Sequence, residues 1–195
     1  MRPWLAYGGT FDPVHAGHLS VARAARDAFG ATVHLIPAAD PPHRATPGAS
    51  AAERAEMLGL ALAGEPGLAL DPRELGRDGP SWTAATLDGL RAELGPTAPV
   101  AWIVGADAFR GLPSWHRWPE LFGLAHFIVV TRPGHALAGL PDALAQAVAG
   151  RWATSAAEVS ASPAGRVYRL AMPPHPASAT ELRRRLAAGE APGDW

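Results

Sequence analysis

The sequence predicts an α/β fold in which a mainly parallel sheet of five to six strands is flanked by helices. Three observations carry this. An apolar run at residues 4–7 passes through a glycine turn into an Ala-rich run from Leu19 to Phe29, giving strand, turn and helix in succession. A second apolar run, Thr32 to Pro37, follows that helix directly, so the two strands form a βαβ unit, parallel with a right-handed crossover. Val100–Val104 and His126–Thr131 are near-continuous apolar runs, as expected of strands covered on both faces.

The remaining elements follow in order. Ala38 to Gly48 is rich in proline and polar residues and reads as a loop; within it Pro41-Pro42-His43-Arg44 is either a cationic arm able to reach a triphosphate or a plain solvated loop. Ser50 with Glu53 fits a capping box, and Ala55, Leu58 and Leu62 recur at helical spacing. The spacing leaves open whether Arg54 faces solvent or the site. Leu68–Leu70 is a short third strand. Residues 74–83 lead into a helix carrying Thr86, Leu87 and Leu90, with Ser81 or Thr83 as its cap. Trp82 there reads either as a core residue or as a receptor, beside free helix N–H groups, for an aromatic ring bearing a carboxylate.

Val100–Val104 ends in Gly105-Ala106-Asp107, and ligands of open α/β sheets bind beyond the carboxyl ends of the strands. Asp107 is placed to meet a ribose hydroxyl or a metal, or else to cap a short helix at 108–111. Trp115 and Trp118 are three apart, so that one packs inward while the other lines a pocket. Arg132, just past the strand His126–Thr131, suits a phosphate or carboxylate. Leu140–Val148 reads as a helix and Val167–Leu170 as the last strand, while residues 153–165 give little signal.

Composition sets bounds. The 195 residues suit one domain spanning 1–195, and 48% hydrophobic content suits a packed globule. A net charge of −1 supplies no field to recruit nucleic acid or an anionic membrane. The absence of cysteine excludes disulfides, thiolate catalysis and Cys-based zinc sites, and all 17 basic residues are arginine, which excludes Schiff-base lysines and the P-loop lysine. No apolar run approaches the ~20 residues that cross a bilayer, and no signal peptide is visible at residues 1–7. The expectation is a cytoplasmic protein acting on small molecules, with neither nucleic acid nor membrane as partner; homo-oligomer formation is left open.

Two anchors carry the chemistry. The first is Gly8-Gly9-Thr10-Phe11-Asp12-Pro13-Val14-His15-Ala16-Gly17-His18. Glycines admit a ligand close to the backbone. A helix entry offers unpaired N–H groups and the positive end of the dipole, and two histidines three apart share one side of it, which together suit phosphate. The second is Pro176-Ala177-Ser178-Ala179-Thr180-Glu181-Leu182-Arg183, where Ser178 and Glu181 fit a capping box and Thr180 and Arg183 lie near the same helix tip. Paired with the first anchor, this tip would hold the far phosphates of a nucleotide whose near phosphate lies at His18.

The first anchor resembles the HxGH signature of the nucleotidyltransferases. With Pro41–Arg44, Arg77, Ser81-Trp82-Thr83, Gly105–Asp107, Trp115 with Trp118, Arg132-Pro133-Gly134 and Ser178–Arg183 in the same order, the chain is similar to the bacterial nicotinate-mononucleotide adenylyltransferases from residue 4 to about 189. The resemblance implies a Rossmann-like three-layer fold, Mg2+ as cofactor, and adenylyl transfer from ATP to nicotinate mononucleotide, late in NAD biosynthesis. It implies that His15, His18, Ser178 and Arg183 hold the ATP phosphates, His18, His15 and Arg183 being the catalytic set. Gly8, Gly9, Thr10, Phe11, His43, Gly105, Asp107 and Thr180 complete the expected ATP site. Trp115 would stack on the pyridine ring and Ser81, Trp82 and Thr83 would meet its carboxylate, with Arg132 beside them. Trp82 stands where a tyrosine is common, and Ala177 and Ala179 where isoleucine and a second serine are usual; relatives usually run past Trp195 into a final helix. A sister enzyme using nicotinamide mononucleotide or phosphopantetheine, and a nucleotide-binding relative without turnover, are the alternatives.

Overall fold

The computed structural model describes residues 1–41, 47–131, 137, 139–173 and 175–190. The predicted α/β architecture is present, but the sheet has seven strands rather than five to six: β1 Trp4–Gly9, β2 Val33–Pro37, β3 Leu68–Leu70, β4 Val100–Gly105, β5 His126–Thr131, β6 Trp152–Ala153 and β7 Val167–Ala171. The strand missed is β6, whose two residues are too few to show any periodicity. The order is β3-β2-β1-β4-β5-β7-β6 and every pairing is parallel.

Helices α1 Ala16–Phe29, α2 Ala51–Leu62 and α7 Ala156–Ser160 cover one face, and α3 Thr83–Leu94, α4 Ala106–Arg110, α5 Trp118–Leu124 and α6 Asp142–Val148 the other. β4 shows why the strand reads as unbroken apolar sequence. Val100, Trp102 and Val104 enter the core under α3 to α6, whereas Ala101 and Ile103 enter the core under α1 and α2. α8 Ala179–Ala187 follows β7 and buries Leu182. α5 and α7 were not legible beforehand, being 7 and 5 residues long. Strand order reverses between β1 and β4, which puts the carboxyl ends of these strands, Gly8-Gly9 and Gly105, beside a crevice of the kind that binds ligands in doubly wound sheets.

Candidate active site

The loop leaving β1 is shaped from below by aromatic rings. A Cβ on Gly8 would lie 2.3 Å from Cζ2 of Trp102, and one on Gly9 would lie 3.0 Å from Cζ of Phe11. Both glycines therefore make room for the protein's own rings, a packing reason distinct from the expected approach of a ligand. Phe11 takes a left-handed backbone (φ 50°) and is 2% exposed, meeting Tyr7 and His18 edge-on at 5.7 and 5.0 Å. The Phe11 ring is the floor on which His18 rests.

His15 is the N-cap of α1, and its backbone N–H donates to Nδ1 of His18 at 3.3 Å. That bond uses the lone pair on Nδ1, so Nε2 is the ring nitrogen that carries the proton in this arrangement. The two imidazoles lie 3.8 Å apart. Burial, with His175 adding to it, lowers the pKa of His15 to about 4, and its Nδ1 is buried without a partner among the described residues. The first turn of α1 holds no acidic residue, so its positive end is not neutralised from within.

The second anchor meets the first. A Cβ on Gly17 would come within 3.2 Å of the Ala177 carbonyl, so the tips of α1 and α8 abut. Nη1 of Arg183 donates to the Asp12 carbonyl and lies 3.9 Å from Oδ2 of the same residue, and Nη2 lies 3.5 Å from Oγ1 of Thr180. Asp12 also accepts from the amides of Gly48 (2.9 Å) and Ala49 (3.3 Å), which ties the loop to the start of α2. Ser178 caps α8 by accepting from the Glu181 amide at 3.2 Å. Only half of the expected capping box forms, because the Glu181 carboxylate pairs with Arg184 at 2.6 Å. His175 is a site residue that the sequence reading passed over. Its Nδ1 accepts from the Ala177 amide at 3.1 Å, shaping the approach to α8. The one available signal was a histidine between prolines just ahead of the second anchor.

Arg54, left undecided by spacing, is 1% exposed. It donates to the carbonyls of Thr10 (2.6 Å), Ala38 (2.7 Å), Ala39 (3.3 Å) and Ala49 (3.2 Å). Burial pulls its pKa down, with the Asp12 charge opposing. It is a clamp beneath the site.

On the other side of the crevice, α3 begins with Trp82 as N-cap and has no side-chain cap, in place of the expected Ser81 or Thr83. Its first-turn amides are left to a ligand or solvent. Ser81 is 8% exposed, and its Oγ accepts from the amides of Ala39 and Asp40 at 3.0 and 3.2 Å. Its side chain is thus engaged with the stretch that leaves β2. The Trp82 indole lies 4.9 Å from the ring of His116, so the tip of α3 and the turn at 115–118 share one wall. Trp115 and Trp118 both pack partly buried against the core. Asp107 is neither cap nor buried: Gly105 is the N-cap of α4, and the fully exposed Asp107 carboxylate pairs with Arg110 at 2.8 Å. His43 and Arg132 lie outside the described residues.

Residues 6–185 match the cytidylyltransferase-like family model. A Stenotrophomonas maltophilia protein named "Probable nicotinate-nucleotide adenylyltransferase" is 54% identical, over 97% of this chain and 86% of its own length. A protein of the same name from Marinobacter nauticus is 52% identical over 95% of this chain and 86% of its own. Among solved structures, the Plasmodium falciparum nicotinic acid mononucleotide adenylyltransferase complexed with NaAD superposes with a TM-score of 0.72 at 15% identity, covering 98% of this chain and 87% of that one. The same enzyme complexed with APC gives 0.66 at 16% identity, over 95% and 84% of the two chains. At these identities the structures speak for the fold.

Proposed function

The chain belongs to the cytidylyltransferase-like family and, within it, to the nicotinate-nucleotide adenylyltransferases; from that premise we propose that it joins ATP to nicotinate mononucleotide, giving nicotinate adenine dinucleotide and pyrophosphate in NAD biosynthesis. The observation that best supports a working site is the contact of Arg183 with Asp12, which joins the second anchor to the first across one cleft.

In this reaction the phosphate of the mononucleotide attacks the α-phosphorus of ATP. One P–O bond forms, the bond to the β-phosphate oxygen breaks, and pyrophosphate leaves with the electron pair. A phosphate monoester is mostly ionised at neutral pH, its second pKa being about 6, so no protein nucleophile or general base is required. The protein has to align two anions and absorb developing charge. His18 suits the α-phosphate because it stands in the first turn of α1 with its Nε2–H as a donor. Arg183, the α8 tip with Ser178 and Thr180, and His15 suit the β- and γ-phosphates. Gly8, Gly9 and Thr10 line the mouth of the loop by their backbone, and Gly105 and Asp107 stand at the neighbouring strand end.

For the acceptor, the uncapped tip of α3 supplies N–H groups to a ring carboxylate, with Trp82, Thr83 and Trp115 around it. This favours nicotinate over nicotinamide. Mg2+ enters as the metal complex of ATP: no group of three His, Asp or Glu side chains that could hold an ion occurs among the described residues, and a hard cation bound by phosphates and water needs none. No helix among the described residues is long and apolar enough to cross a membrane, which accords with a cytoplasmic location. The test is a parallel assay of ATP with nicotinate mononucleotide, nicotinamide mononucleotide and phosphopantetheine, following dinucleotide and pyrophosphate. Nicotinate mononucleotide is the preferred acceptor; preference for an acceptor without the ring carboxylate, or no turnover at all, overturns the reading.

A further inference from the structure

The stretch Ala38–Asp40, leaving β2, runs between the two halves of the crevice and is held from both. Toward the phosphate loop, the Ala38 amide donates to the Gly9 carbonyl at 3.0 Å. The carbonyls of Ala38 and Ala39 accept from Arg54, whose other nitrogen holds the Thr10 carbonyl. Toward the acceptor side, the Ser81 hydroxyl accepts from the Ala39 and Asp40 amides, and the Ser81 amide donates to the Asp40 carbonyl at 2.8 Å. The strap therefore spends nearly every backbone polar group on one substrate loop or the other.

The hydroxyl inventory decides what Ser81 can do. A serine oxygen has two lone pairs and one hydrogen. Both lone pairs go to the strap amides. Glu74 is 4% exposed and accepts from Oγ1 of Thr86 at 2.5 Å, which in turn accepts from Arg77 at 3.0 Å. Thr86 lies in the first turns of α3, so Glu74 is fastened to the helix whose tip carries Trp82 and Thr83. No lone pair remains on the Ser81 hydroxyl for a further donor.

We propose that Ser81 is a positioning residue that hangs the Ala38–Asp40 strap between the two substrate sites, so that one hydroxyl sets the grip on ATP and on the acceptor together. This rests on the acceptor reading given above. A direct contact with the ring carboxylate would affect the acceptor alone; a strap fastened to Gly9 and Thr10 affects both substrates.

The test is steady-state kinetics of Ser81→Ala, Ser81→Thr and Ser81→Cys with ATP, nicotinate mononucleotide and nicotinamide mononucleotide, alongside ATP dissociation constants by calorimetry. Ser81→Ala raises KM for ATP and for nicotinate mononucleotide alike, each roughly three- to tenfold, the worth of one hydrogen bond. The ratio between the two acceptors stays within about twofold, because no carboxylate contact has been removed. Ser81→Thr, which keeps the hydroxyl, restores both constants, as a loss due to general destabilisation would not. Should Ser81→Ala fail to fold, Ser81→Cys, which nearly keeps the volume but accepts amide hydrogen bonds only weakly, carries the same expectation. A loss confined to the acceptor, with the acceptor ratio collapsing, overturns the proposal, as does an unchanged ATP dissociation constant. Wild-type protein that binds ATP yet makes no dinucleotide overturns the functional reading instead, and the calorimetric comparison still decides the strap.

Discussion

Replacing His15 with asparagine should flatten the acid side of the stability profile. In the folded chain the His15 pKa is lowered to about 4 from 6.5, chiefly because the ring is desolvated and secondarily because His175 is near. Between those two values the unfolded chain holds a proton that the folded chain refuses. Stability therefore rises with pH across the window: it is fully present above 6.5 and is lost as pH falls toward about 4. A shift of this size is worth at most about 3 kcal/mol, and solvent reaching the half-buried ring brings it to about 1–2 kcal/mol. Asparagine does not titrate and is itself a good N-cap, so its offset in absolute stability is constant with pH. The assay is urea unfolding of wild type and His15→Asn from pH 7.5 to 4.5. The gap between the two free energies changes by about 1–2 kcal/mol over that range, wild type losing more on acidification. His34 and His126, also lowered by burial, titrate equally in both proteins and cancel. Parallel curves, or a wild type flatter than the variant, would refute the picture of a neutral, desolvated imidazole at the α1 tip.

Three further outcomes are expected. His18→Ala lowers kcat by roughly 10²–10³ while the fold survives, as for other single donors to developing charge, and is read by pyrophosphate release beside a circular dichroism spectrum. Gly8→Ala, whose Cβ would stand 2.3 Å from the Trp102 ring, lowers stability by about 1–3 kcal/mol; Trp102→Leu in the same chain recovers part of that loss in a thermal melt. Chelating Mg2+ at fixed total ATP stops turnover but leaves the melting temperature of the nucleotide-free protein unchanged, because the ion arrives with the substrate.

Features written locally were legible in the sequence, and features written between distant segments were not. The first anchor declared itself because strand, glycine turn and histidine pair lie within fifteen consecutive positions, 4 to 18, and the second because its N-cap serine and arginine lie on one short helix. Six strands were visible through unbroken apolar runs such as 126–131. β6, at two residues, left no pattern to read. Gly8 was assigned to ligand access because its true neighbour, Trp102, is remote in sequence. Ser81 was assigned to the acceptor because its partners are backbone amides 41 and 42 positions away, and an amide leaves no mark in the residue code. Arg54 was ambiguous for the same reason: its partners are all main-chain carbonyls. Asp107 fell outside the cap role because Gly105, already at the strand end, opens the helix first.

The pairing of Arg183 with Asp12 spans 171 positions. The loop after β1 and the tip of α8 are thus held by a contact that neither segment can make alone, so a change at either one is felt at the other.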